Sequence, residues 1–249
     1  MSLVMDNYES MNDPQRLRHF GWIFTLSQVF GGLSVVLIAI WMGKYDNGFG
    51  WGPEMADQQF HYHPLFMIIG MTFLFGESLL VYRVFRHERK TFTKLLHGVL
   101  HSMVLVFFGV ALKAVFDSHN YKGVANLHSL HSWLGVLNAA LRSFQYVAGF
   151  LCFFYPKAPG SVRESLMPKH RFVGLALFLL ASAVAVSGIV ERLAFHPPCK
   201  EFCAEKALTN ALGLSVLGFV CCVFYLVWNP SYKRKALPEE ESLQRLAAD

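Results

Sequence analysis

Four histidines stand at or beside the start of four consecutive apolar stretches of the 249-residue chain, where each is expected to open a helix. They are His63 in "FHYHPLF", His97 in "KLLHGVLH", His131 in "SLHSWLG" and His170 in "MPKHRFVG". An ionisable side chain is costly within a membrane, so an imidazole in such a stretch indicates a function. Neutral imidazole is also the commonest side-chain ligand of metals in proteins. The sequence therefore predicts metal chemistry among these helices.

Six apolar runs must position these histidines. Hydrophobic residues make up 54% of the chain and charged residues only 16%, against about 25% charged residues in soluble domains. Each run is close to the ~20 residues that a helix needs to cross a bilayer. We expect an all-α membrane protein with a six-helix membrane domain over 20–228, between tails 1–19 and 229–249. The runs are Phe20–Met42, Pro64–Tyr82, Leu95–Phe116, Leu130–Phe154, Phe172–Val190 and Ala207–Trp228.

The four histidines sort into two pairs, because neighbouring antiparallel helices enter the membrane from opposite faces. His63 and His131 fall near one face, and His97 and His170 fall near the other. Two facing imidazoles can fill both axial positions of a haem iron, which leaves no position open for oxygen. The pattern predicts a central four-helix bundle that encloses two haems and carries electrons across the membrane.

Several alternatives stay open at this level. Zinc fits less well, because the sequence has no H-E-x-x-H motif and no cysteine cluster. Rival functions are a haem-bearing membrane anchor that exchanges electrons with quinol and a partner subunit, and a metal or proton relay. Each ligand candidate also has a competitor nearby, which spacing does not exclude: His61 beside His63, His101 four residues after His97, and His128 three residues before His131.

Basic residues predict the orientation of the helices. Fifteen of the 22 Lys and Arg residues fall in the N-terminal tail, the second-to-third loop, the fourth-to-fifth loop and the C-terminal tail. Basic loops stay in the cytoplasm, so both termini are expected there. Residues 1–19 lack the basic start of a cleaved signal peptide, so the first run is expected to be a retained anchor. The net charge of +5 follows from this topology and predicts no nucleic-acid partner.

The five cysteines do not suggest a disulfide scaffold. Cys152, Cys221 and Cys222 lie inside apolar runs and are expected to act as small core residues. Cys199 and Cys203 lie in the last non-cytoplasmic loop, where either a disulfide or two thiols is compatible with the sequence. The chain has no C-x-x-C-H motif, so covalently attached haem is not expected.

The motifs in their order resemble the cytochrome b561 family of transmembrane ascorbate-dependent reductases. The resemblance runs from about Trp41 to Trp228 and rests on "HPLFMIIG", "LLVYRVFR", "KLLHG", "AVFDSHN", "SLHSWLG", "MPKH" and "NALG". It implies two b-type haems per chain, a non-cytoplasmic one bound by His63 and His131 and a cytoplasmic one bound by His97 and His170. It also implies a homodimer in the plasma membrane or in an endosomal, lysosomal or secretory vesicle membrane.

The resemblance further implies electron transfer from cytoplasmic ascorbate to monodehydroascorbate or ferric iron on the other side. Basic residues flanking the inner histidines are then expected to bind ascorbate, unless they serve topology alone: Arg83, Lys90, Lys94 and Arg163. Residues around the third-to-fourth loop are expected to form the non-cytoplasmic substrate site, unless they only cap the loop: Phe116, His119 and Asn126. His128 is predicted to be a polar contact near that site.

Three charged residues within the spans depart from the family pattern. Arg142 lies eleven residues after His131, at a depth where a charge costs about 2.5–3.5 kcal/mol on an insertion scale. We expect it to pair with Glu77 or with a haem propionate. Lys113, near the outer end of the third helix, can extend to the interface. Glu77, Arg142 and Lys113 are predicted to tune the reduction potential of the protein or its choice of substrate.

Overall fold

The structure, a computed structural model, describes residues 17, 19–196 and 203–237. Six of its helices are long and apolar enough to cross a membrane, which confirms the predicted architecture. Predictions for Cys199 and for the far ends of the two tails lie outside the described residues. The helices are α1 Phe20–Tyr45, α2 Pro53–Val84, α3 Lys90–Lys122, α4 Leu130–Phe154, α5 Gly160–Ala194 and α6 Ala204–Trp228.

Three helices begin well before their apolar runs. Helix α2 begins at Pro53, α3 at Lys90 and α5 at Gly160, so His63, His97 and His170 lie about two turns or more inside their helices. Hydropathy marks the part of a helix that meets lipid, whereas the hydrogen-bond ladder continues until a cap or a breaker ends it. The expectation that these three histidines open their helices was therefore wrong.

Helix α2 is the most irregular of the six. It runs from a 3₁₀ turn through Ala56–Phe60 and Tyr62–Met67 into a π-helical stretch, Ile68–Leu74, and returns to α-helix at Phe75. Pro64 has no N–H to donate to the carbonyl of the preceding turn, which accounts for the break between the first two segments. Such π-helical stretches are rare and occur frequently at functional sites. This one begins five residues after His63.

The first and last helices pack along each other on one side of the bundle. The core lies among α1, α2, α5 and α6. It includes the fully buried Trp41, and the Phe178 ring packs against the rings of Phe75 and Phe219. Close approach here depends on small residues, as is usual between membrane helices. A Cβ atom on Gly76, for example, would lie 2.5 Å from the Phe219 ring.

Helices α3 and α4 are consecutive in the chain but contact each other at only a few points. Helix α3 packs against α2, and α4 packs against α5. Of the described residues, Val104 is the only α3 side chain in the buried apolar cluster, and α4 adds none. The bundle therefore keeps an internal space between the α2–α3 pair and the α4–α5 pair.

The cysteines follow the sequence expectation in part. Cys203 is disulfide-bonded, and its predicted partner falls outside the described residues. Cys152, Cys221 and Cys222 are free thiols. Cys221 is exposed rather than buried, because it points from α6 away from the core, so its assignment as a core residue was wrong.

Candidate functional site

His63 and His131 face each other across the internal space at one end of the bundle, with ring centroids 6.2 Å apart. The Nδ1 atom of His63 lies 3.3 Å from the carbonyl oxygen of Ala111. The Nδ1 atom of His131 lies 2.9 Å from that of Val184. A carbonyl can only accept, so both Nδ1 atoms carry the proton and both Nε2 atoms keep a lone pair. This is the tautomer in which an imidazole binds a metal through Nε2.

Local sequence explains where His131 stands. The Ser129 hydroxyl accepts a hydrogen bond from the Ser132 N–H at 3.2 Å, and the Ser132 hydroxyl accepts one from the Ser129 N–H at 3.1 Å. This reciprocal capping starts α4 at Leu130 and satisfies two of the free amides of the first turn. His131 is thereby fixed at the second position of the helix.

A cavity of about 490 Å³ lies beside the His63–His131 pair. Its size falls within the usual range for sites that bind a cofactor or a small ligand. The three residues predicted for the non-cytoplasmic substrate site line the same cavity: Phe116, His119 and Asn126. His119 is held by a 3.2 Å contact between its Nδ1 and Asn126 Oδ1, and its ring stacks on Phe60. The structure thus brings these residues together with the first histidine pair.

His97 and His170 form the second pair at the opposite end, with ring centroids 6.4 Å apart. His97 Nδ1 donates to the Ser78 carbonyl at 2.8 Å, which again leaves Nε2 as the ligand atom. On the α4 side, a Cβ atom on Gly149 would lie 3.1 Å from the His170 ring. The Phe153 ring packs 5.2 Å from His170. Glycine at 149 therefore makes room for this imidazole.

The nearby competing histidines are engaged in other contacts. His61 is 1% exposed; its Nδ1 donates to the Gly48 carbonyl, and its Nε2 faces Asp46 at 3.9 Å. His128 lines the same cavity as the first pair, and its Nδ1 contacts the Ala125 carbonyl at 3.0 Å. Both ring nitrogens of His61 are thus engaged, and the facing rings of His63 and His131, 6.2 Å apart, favour these two over His128 as the ligands at this end.

His101 has partners on both ring nitrogens. Its Nδ1 accepts a hydrogen bond from Arg142 Nη2 at 2.9 Å, and its Nε2 lies 3.1 Å from the Ser78 hydroxyl. Neither nitrogen is left for a metal, which favours His97 over His101.

Arg142 does not pair with Glu77, so that alternative was wrong, while pairing with a haem propionate stays a prediction. The Glu77 carboxylate accepts a hydrogen bond from Gln28 of α1 at 2.8 Å, whereas the Arg142 guanidinium lies 4.0 Å from the centre of the Phe75 ring. Successive helical residues point about 100° apart, and on α2 it is Ser78, not Glu77, that faces the space between α3 and α4.

Lys113, the other cation within the third span, forms an ion pair of 2.7 Å with Asp117 one turn along α3.

A cluster of cations lies beside the second histidine pair. The Lys94 ammonium donates to the Phe153 carbonyl at 3.2 Å, and the Phe153 ring touches His170. Lys90, Lys157 and Arg163 lie near enough to repel the charge on Lys94. Lys90, Lys94 and Arg163 were predicted from the sequence to bind ascorbate, and the structure adds Lys157 to the same cluster. This residue sits in the left-handed region with φ 76°, a local geometry that spacing in the sequence does not reveal.

Arg83, the fourth residue predicted for the ascorbate site, makes different contacts from Lys94. Its guanidinium donates to the Val227 carbonyl near the end of α6. The structure therefore shows it joining α2 to α6.

The donor set fits haem better than a bare metal ion. Among the described residues, no group of three or more His, Cys, Asp or Glu side chains is placed to hold a metal. A structural zinc ion takes four protein ligands, whereas a haem iron needs only axial ligands from the protein. Two facing imidazoles at each end meet that requirement.

A model of the eukaryotic cytochrome b561 family matches residues 62–196, which contain both histidine pairs. The chain belongs to the eukaryotic cytochrome b561 family. Family membership and the six apolar helices make it an integral, multi-pass membrane protein. Membership also implies that this cytochrome b561 binds haem b.

Curated relatives cover most or all of this cytochrome b561. A Caenorhabditis elegans homologue of the transmembrane ascorbate-dependent reductase CYB561 is 45% identical over 261 residues, covering 100% of this chain and 98% of the relative. The Bos taurus transmembrane ascorbate-dependent reductase CYB561 is 43% identical over 219 residues, covering 87% and 86%. The Mus musculus plasma membrane ascorbate-dependent reductase CYBRD1 is 34% identical over 232 residues, covering 91% and 79%.

Replacing Gly188 with alanine should weaken haem binding at the first pair of this cytochrome b561. A Cβ atom at position 188 would lie 2.5 Å from His131 Cε1, so the imidazole would have to move. Overpacking of this kind costs about 1–3 kcal/mol, which corresponds to roughly 5- to 150-fold weaker binding. The haem-to-protein ratio of the purified variant measures the effect.

The matched control is Gly109→Ala on α3, an exposed position that does not line the cavity. Among the described residues, its Cβ atom would meet nothing within 4 Å, so haem content should not change. Equal haem content in both variants would show that His131 has room to move.

Proposed function

We propose that this cytochrome b561 transfers electrons across the membrane from cytoplasmic ascorbate, through two b-type haems, to an acceptor on the other side. The observation that carries the proposal is the pair of facing imidazoles at each end of one bundle. The names of its relatives, which are ascorbate-dependent reductases, support ascorbate as the electron donor.

In this proposal the four histidines are axial ligands. His63 and His131 hold the non-cytoplasmic haem, and His97 and His170 hold the cytoplasmic haem. Bound haem supplies the one-electron chemistry, while the polypeptide supplies ligands, orientation and surroundings. The carbonyls of Ala111, Val184 and Ser78 orient three of the four rings, and such outer contacts also raise the basicity of the ligand nitrogen.

The cation cluster is the proposed ascorbate site. Ascorbate is an anion, and Lys90, Lys94 and Arg163 converge next to the pair formed by His97 and His170. Charge-assisted hydrogen bonds from these groups would hold the donor close to the haem edge. Arg83 contributes positive charge from the end of α2. Basic residues at this end of the bundle also support placing it, with both termini, in the cytoplasm.

The acceptor site is proposed at the cavity around His119 and Asn126. The acceptor is monodehydroascorbate or ferric iron. Reduction of an ascorbyl radical consumes a proton, and an imidazole such as His119 can deliver one. The same nitrogen chemistry suits contact with ferric iron. The membrane is the plasma membrane or that of an endosomal, lysosomal or secretory vesicle, where a homodimer is expected.

Purified protein reconstituted into ascorbate-loaded vesicles tests the proposal. We expect two haems per chain, sharp low-spin b-type bands, and reduction of external ferric chelate or monodehydroascorbate only when ascorbate is trapped inside. Haem-free vesicles with the same lipid supply the control.

Other outcomes would point elsewhere. A folded protein without haem would contradict the proposal outright, and one haem per chain would contradict the two-centre path. Haem that resists ascorbate but accepts electrons from a quinol would support the membrane-anchor alternative.

A further inference from the structure

A buried cation lies at the level between the two histidine pairs. Arg142 of α4 is 3% exposed, and its guanidinium lies 4.0 Å from the centre of the Phe75 ring. Within the described part of the chain, its Nε and Nη1 atoms have no hydrogen-bond partner. Among the described residues, its side chain donates one hydrogen bond, to the neutral His101 Nδ1. No polypeptide carboxylate that the structure describes therefore balances this charge.

A chain of contacts joins Arg142 to the second histidine pair. The guanidinium donates to His101 Nδ1 at 2.9 Å, so the proton of this neutral imidazole lies on Nε2, which donates to the Ser78 hydroxyl at 3.1 Å. The Ser78 carbonyl in turn accepts from His97 Nδ1 at 2.8 Å. The rings of His97 and His101 also touch edge to face, with centroids 4.4 Å apart.

The position of Arg142 along α4 favours the same pair. Arg142 lies seven residues before Gly149, which packs on the His170 ring, and eleven residues after His131. At 1.5 Å of rise per residue, this is roughly 10 Å from the level of Gly149 and roughly 16 Å from His131. The cation therefore acts more strongly on the site of His97 and His170.

We propose that Arg142 is a positioning residue that raises the reduction potential of the haem held by His97 and His170. The inference rests on the proposed function, because it requires haem at this pair. Oxidised haem iron carries one more positive charge than reduced iron, so a nearby cation destabilises the oxidised form. The low dielectric of the interior makes this repulsion stronger than it would be in water.

The functional consequence concerns the first electron transfer. A raised potential makes the haem nearest the donor easier to reduce. The Arg142 guanidinium holds His101 in one tautomer. His101 then donates to the Ser78 hydroxyl, and the Ser78 carbonyl orients the His97 imidazole.

The test is an optical redox titration of purified wild type, Arg142→Met and Arg142→Lys. In Arg142→Met, the equilibrium constant for reducing this haem should fall about tenfold, which is about 59 mV for a one-electron couple. Arg142→Lys keeps the charge and should retain most of the wild-type potential. Repeating the titrations in a His131→Gln background, where only this haem is expected, assigns the shifted component.

Lys44→Met is the matched control, because it removes an exposed cation from the end of α1 and should shift neither potential. Arg142→Gln serves as a second neutral variant that can still donate to His101. Unchanged potentials in both neutral variants, or loss of this haem from both, would overturn the inference. Absence of haem from the wild type would instead overturn the proposed function.

Discussion

Replacing His131 with glutamine should leave about one haem per chain in place of two and abolish electron transfer across the membrane. The imidazole faces His63 at a centroid distance of 6.2 Å, and glutamine has no nitrogen lone pair to offer an iron. A haem with one remaining protein ligand is held weakly, whereas the His97–His170 pair at the other end is untouched. Haem content and the reduced-minus-oxidised spectrum measure the result.

His128→Gln is the matched control for this experiment. It removes an imidazole three residues away at the same end of the bundle, whose Nδ1 contacts the Ala125 carbonyl. This variant should keep both haems. If His128→Gln lost a haem and His131→Gln kept two, the ligand assignment at this end would have to be reversed.

If the proposed function holds, replacing Lys94 with glutamine should slow reduction by ascorbate of the haem at His97 and His170 roughly 10- to 100-fold. A hydrogen bond to a charged group contributes about 1.5–3 kcal/mol, and Lys94 is the cation whose ammonium contacts the Phe153 carbonyl beside His170. Haem content and spectrum should be unchanged, because the side chain contacts no ligand histidine directly. Stopped-flow mixing with ascorbate measures the rate.

Lys233→Gln provides the control, since it removes an exposed cation shortly after the end of α6. Reduction of this variant by ascorbate should proceed at nearly the wild-type rate. A small uncharged reductant should reduce wild type and Lys94→Gln equally fast. Equal slowing of both lysine variants by ascorbate would show that general surface charge, and not a site at Lys94, attracts the donor.

Much of the fold follows from the amino-acid composition and from the alternating direction of successive spans. Six runs of apolar residues determine six spans, and the antiparallel order of the spans assigns the four histidines to opposite ends in pairs. These features depend on the spacing and length of the apolar runs and on the direction of the chain, all of which can be read from a single sequence. The structure places both pairs at distances that suit a shared ligand between the rings.

The finer features depend on contacts between distant residues. The choice of His97 over His101 depends on a hydrogen bond from Arg142, which lies 41 residues away in the sequence. The predicted pairing of Arg142 with Glu77 was wrong, because a one-residue difference on α2 decides whether a side chain faces α1 or α3. The role of Gly188 depends on how closely α5 approaches His131. Only the packed helices reveal such relations.

The pairing of α1 with α6 has a consequence for biosynthesis. A chain is made from its N-terminus, so α1 enters the membrane long before its main partner exists. The Trp41 indole donates to the Glu205 carboxylate at 2.8 Å, across 164 residues of sequence. Until α6 arrives, α1 contacts the bundle mainly through α2, for example through the Gln28–Glu77 hydrogen bond, and the side of α2 that carries Gly76 lacks the Phe219 ring that packs on it. Closure of the bundle is therefore the last step of assembly, and a ribosome that stops before α6 leaves a chain that cannot complete it.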